Sequence, residues 1–73
     1  MKLFVFKSSI KDGLHAFAAD VTGKQLPKQF QPWIGTGVVR ADANPPHGLS
    51  RLAIERSIMD RGFQLWRSQK RQS

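Results

Sequence analysis

No cysteine occurs in this 73-residue chain, so neither disulfides nor thiolate metal sites can hold a small domain together. Stability has to come from packing or self-association. A domain of this length buries only about 60% of the surface its unfolded chain exposes, and one core is all it can build.

Long apolar runs are missing as well. After Met1 and Lys2 the stretch Leu3 to Phe6 is broken by Lys7, short of the roughly 7 to 15 residues of a signal-peptide core. Nowhere is there an unbroken stretch of about 18 apolar residues for a bilayer span. With the lack of cysteine, this leads us to expect a cytoplasmic protein without membrane insertion.

Acidic residues are scarce. Five Asp and Glu face twelve Lys and Arg, giving a net charge of +7 and a pI near 11.0, at the upper end of what serves solubility in a small domain. Such a field draws polyanions. Nucleic acid is the first expected partner, and an anionic membrane surface or an acidic protein is attracted by the same force.

Groups able to do chemistry are equally thin. His15 and His47 are the only imidazoles, far apart in sequence and without a cysteine to complete a zinc shell. Asp12, Asp20 and Asp42 read as strand-end residues, while Glu55 and Asp60 stand at helical i, i+4 spacing from Arg51 and Arg56 and serve as pairing partners. "DANPPHGLS", residues 42–50, has the composition of a nucleophilic triad in Asp42, His47 and Ser50. A working triad is normally assembled from distant segments of a larger scaffold with oxyanion donors nearby. The turn reading is the simpler one: Asp42 and Asn44 bond the backbone, the prolines stiffen the loop and Ser50 caps a helix. "GTG", 35–37, is too short for a phosphate loop. The expectation is a non-enzymatic protein with no metal and no cofactor.

What the chain does contain is a series of short elements. "KLFVFK", 2–7, carries apolar residues at both parities, as an inner strand covered on two faces does. Asp12-Gly13 is a favoured hairpin dipeptide, and "LHAFAADV", 14–21, returns as a second strand before Thr22-Gly23. "GKQLPKQFQP", 23–32, reads as a loop pinned by Leu26 and Phe30, and Trp33, at a strand start after Pro32, reads as structural. "WIGTGVVRA" is a third strand with Gly35 and Gly37 expected on one face and Ile34 and Val38 on the other. Asn44-Pro45-Pro46 turns the chain, since a residue before proline leaves helical angles. A helix over about 50–61 follows, with Ser50 as N-cap, Gly62 as stop and Arg61 at the negative end of its dipole. Its apolar residues cover more than one stripe. "FQLWR", 63–67, is the last strand. Fold class is therefore α+β: a small antiparallel sheet, order strand-strand-strand-helix-strand, with one helix packed on one face. Residues 1–67 form the single domain, and 68–73 are expected as a mobile basic tail.

Residues 25–66, with "QLPKQFQPW" and "PPHGLSRLAIERSIMDRGFQLW", resemble short bacterial proteins of unknown function that share these proline-tryptophan and glycine-phenylalanine landmarks. The resemblance implies no activity. The helix followed by "RGFQLWR" also resembles HicA-type RNA-cleaving toxins, but those carry a histidine on the strand soon after such a segment, and none follows Phe63 here. "RGF", 61–63, and "LFV", 3–5, resemble fragments of RNA-recognition sheet motifs. That family places a helix directly after its first strand, where this chain has a turn.

Attention falls on "GFQLWRSQKR". Phe63 and Leu65 share one parity and face the core, which sends Trp66 to the opposite face near Arg67, Lys70 and Arg71. Trp66 and these cations, with Arg61, form the expected site: indole stacking plus phosphate contact. Packing competes for the same indole, either under the Pro27 to Pro32 loop or on the Gly35 and Gly37 strip. The helix is a poor reader of DNA, because Arg51, Arg56 and Arg61 point in separate directions around its axis. The alternative function is a protein-interaction or homodimerising module using the broad apolar helix surface or a sheet edge.

Overall fold

The computed structural model describes residues 1–45 and 49–67. The expectations for Pro46, His47 and the tail, including Lys70 and Arg71, lie outside the described residues.

β1 (Leu3–Ser8) is apolar at both parities because it is an inner strand. Four antiparallel strands lie in the order β3-β1-β2-β4, with β2 spanning Leu14–Ala18, β3 spanning Trp33–Val39 and β4 spanning Gln64–Arg67. Alternation along β1 sends Leu3 to one side of the sheet and Phe6 to the other, and each joins a separate core. Together with one helix, α1 (Arg51–Arg61), this is the expected small α+β fold.

The first core lies between the sheet and α1. Phe17 and Leu3 are fully buried there against Val39, Ile54 and Ile58, each such side chain contributing about 1.5 to 3 kcal/mol of apolar burial. Ser50 starts α1 by accepting a hydrogen bond from Ala53 N–H at 3.2 Å, and Gly62 ends it with φ 94° and its N–H on Ile58 O at 2.8 Å. Only a residue without Cβ takes that left-handed angle at little cost. Arg51 ties the helix start down: it donates to Ala43 O at 2.8 Å, to Met1 O, and to the Glu55 carboxylate at 3.0 Å. Arg56 and Asp60, by contrast, are not among the ion pairs of the described residues. Leu52 and Met59 point away from the sheet, 68% and 78% exposed, which is the second apolar stripe read from the sequence.

The second core fills the other face. Ala16 and Ala18 are small enough there to let Leu26, Phe63 and Leu65 lie close to the sheet beside Phe6. Segment 22–32 covers them, with a single 3-10 turn at Lys28–Phe30. Trp33 Nε1 donates to Pro27 O at 2.9 Å and Phe30 meets the Trp33 ring edge-on, so Trp33 is structural as expected. The buried Ser8 hydroxyl joins this segment to the hairpin: it donates to Phe30 O at 2.7 Å and accepts from the N–H groups of Ile10 and Lys11.

Two local expectations are corrected. β2 stops at Ala18, because Asp20 turns the chain by accepting from Thr22 N–H at 3.0 Å. In β3, Gly35 and Gly37 do not share a face. Gly37 pairs with Val5 but Gly35 pairs with Phe6, so Thr36 is the extra residue of a β-bulge, and such an insertion reverses the parity beyond it. Thr36 Oγ1 marks the place by donating to Val5 O at 3.3 Å. Ile34 and Val38 consequently emerge on opposite faces as well.

Candidate nucleic-acid interface

Register alone assembles the candidate site. Ile34 pairs with Lys7, Lys7 with His15, and His15 with Trp66, so one row of side chains crosses all four strands on the helix-bearing face. The next row, Gly37, Val5, Phe17 and Gln64, runs toward the helix. α1 packs mainly over β2 and β4 and its core reaches Val39 at the end of β3, which leaves the Ile34 to Gly37 part of β3 open on this face. Nothing comes within 4 Å of a Cβ placed on Gly37, and Ile34 is 45% exposed.

Trp66 is half-buried in this row. Its ring stacks on His15 with centroids 4.3 Å apart and planes 18° from parallel, and on Phe17 at 5.8 Å and 20°. Ring pairs of this kind contribute about 0.5 to 1.5 kcal/mol beyond area burial. The indole lies opposite in parity to Phe63 and Leu65, as alternation requires, but its packing partner is neither the proline loop nor a glycine strip. Cross-strand pairing with His15 supplies it.

Other groups gather at the same end of the sheet. Arg67 ends β4 opposite Leu14 and is exposed. Lys11 sits in the β1-β2 loop, whose last residue Gly13 takes φ 81°, with Leu14 N–H bonding Lys11 O at 3.2 Å. Between this loop and the row lies an open recess of about 480 Å³, lined by Lys7, Ser9, Ile10, Asp12, His15 and Ile34 among others. Lys7 and Lys11 are exposed.

Trp66 thus shares a row with Lys7, a cation that sequence reasoning passed over, whereas Arg67 has the parity of Leu65 and projects from the opposite face of the sheet. Arg61 is not part of this group. It closes α1 before β4 begins and lines a different recess, with Asp20 and Gln25, at the opposite end of the sheet. Lys7 and His15 were missed because each was read as one residue of a strand. Pairing the two strands through the Asp12-Gly13 turn and following parity would have placed them beside Trp66.

Among the described residues no group of His, Asp and Glu is placed to hold a metal ion, and no helix is long and apolar enough to cross a membrane. No family model, curated protein or solved structure matches the chain.

Proposed function

We propose that this protein is a small non-enzymatic module that binds nucleic acid in single-stranded form, across the open end of its sheet. The observation that carries the reading is the row Lys7, His15 and Trp66, with Lys11 exposed in the loop at the same end. A sheet that sets aromatic rings beside cations meets both demands of single-strand binding, ring faces for bases and positive charge for phosphates. The net charge of +7 supplies long-range attraction. A duplex suits the surface less well, because its bases are already stacked and the helix carries no basic face. Lys70 and Arg71 add charge immediately after β4 in sequence.

Fluorescence anisotropy of labelled single-stranded and duplex oligonucleotides, titrated with protein at low and physiological salt, tests the proposal. Single strands should bind more tightly than duplexes of equal length, and truncation after Arg67 should weaken binding without abolishing it. Duplex preference, or no binding at physiological salt, would overturn it.

A second reading has its own support. β3 is an edge strand with Ile34 and Val38 45% and 50% exposed, and open edges invite pairing with another chain. Self-association through β3 should appear as concentration-dependent sedimentation without any polyanion present.

A further inference from the structure

Leu52 and Met59 are the two most exposed large apolar side chains among the described residues, and both stand on α1. At about 100° per residue they fall with Arg56 inside an arc of about 60°, on the side of the helix away from Ile54 and Ile58. Apolar side chains exposed together and bordered by polar ones mark a contact surface. The charges on this surface are themselves unsatisfied. Arg56 and Asp60 are exposed, and neither belongs to an ion pair of the described residues. A base four residues before an acid is the less favourable order for pairing within one helix, so both groups stay available to a partner. With one charge of each sign, the face is neutral on a chain that carries +7. A second copy matches it best, because the same face supplies both the cation and the anion that it needs.

We infer that α1 pairs with α1 of a second copy, antiparallel about a twofold axis, with Arg56 of each copy on Asp60 of the other. An isologous arrangement makes this contact twice. Leu52 precedes Arg56 by four residues, about 6 Å along the axis, and in an antiparallel pair that places it over the C-terminal end of the facing helix. There the last turn borders a recess of about 400 Å³, lined by Ile58, Met59 and Gly62 among others, which gives the leucine an apolar seat. One short helix face is well below the roughly 800 Å² per partner of a stable complex. The pair therefore dissociates in the weak range, on the order of 100 μM. It uses neither β3 nor the Lys7, His15 and Trp66 row, and does not depend on the nucleic-acid reading.

The experiment is sedimentation of the full chain without polyanion, over about 10 μM to 1 mM, for the native protein, Arg56→Glu, Asp60→Lys and an equal mixture of the two variants. The native mass should rise from 8.3 kDa toward twice that value. Each variant alone sets like charges against each other in both contacts and should stay monomeric. Mixed together, the two variants face each other with opposite charges at both contacts, so association should return. Recovery in the mixture also shows that neither variant has simply failed to fold. A native protein that stays monomeric throughout would overturn the inference, as would a mixture that stays monomeric. Association equally strong in both single variants would overturn it too, and would assign self-association to the β3 edge.

Discussion

At Gly62 the backbone carries φ 94°, and a Cβ placed there would collide with the side-chain amide of Gln25. Two penalties therefore meet in Gly62→Ala: the left-handed angle, costing about 1 to 2 kcal/mol for an L residue, and the displacement of Gln25. Urea denaturation should show a loss of at least about 1 kcal/mol, and in a Gln25→Ala background the loss should shrink without vanishing. Full recovery there would mean that the angle costs nothing. Phe17 tests the helix-side core. It is fully buried and touches the Trp66 ring as well as the α1 cluster, so Phe17→Ala should cost about 3 to 5 kcal/mol. That is comparable with everything a core of this size supplies. Circular dichroism should find the variant largely unfolded at 37 °C, and a native-like melting curve would contradict this account of the core.

The elements divide into those written in local chemistry and those decided by pairing. The helix was legible nearly to the residue, because Ser50 and Gly62 are end signals that act within one turn. The hairpin was legible from Asp12-Gly13, and the inner position of β1 from its two-sided apolarity. The bulge at Thr36 was not, since nothing within "WIGTGVV" distinguishes a regular strand from one that must offset its partner. Trp66 was assigned to the correct side of β4, yet its contact with His15 depends on which strand lies next to β4, and parity within one strand does not contain that. The Asp20 turn gives a pH test at this scale. The Thr22 backbone N–H, then the Thr22 hydroxyl, with Lys24 adding to them, hold the Asp20 carboxyl below its ordinary range. Because the folded-state value is lowered, the stabilisation is complete above the unfolded-state value of about 3.9 and fades as pH falls through the folded one. The stability gap between the native protein and Asp20→Asn should be constant near neutrality and narrow below about pH 4. A gap that widened in acid would contradict the assignment.

Across the whole molecule, charge and shape are distributed unevenly. Both faces of the sheet hold cores, but the helix-side core takes in only the Val39 end of β3, and the row at the Ile34 end of this face carries Lys7, with the exposed Lys11 in the adjoining loop. Arg61, at the other end, and Arg51, bonded to Glu55, contribute to the overall field rather than to this surface. A protein whose +7 charge served solubility alone would bind strands weakly at low salt, with every exposed cation of equal value. A built site makes particular cations count. The most direct measurement is the salt dependence of single-stranded RNA binding for the native protein, Lys7→Gln and Arg61→Gln, each plotted as log affinity against log salt. Lys7→Gln should lower the slope by about 0.7, one phosphate contact on a single strand, while Arg61→Gln should leave it close to native. Equal slopes for all three proteins, or affinity that does not respond to salt, would contradict a binding surface at the open end of the sheet.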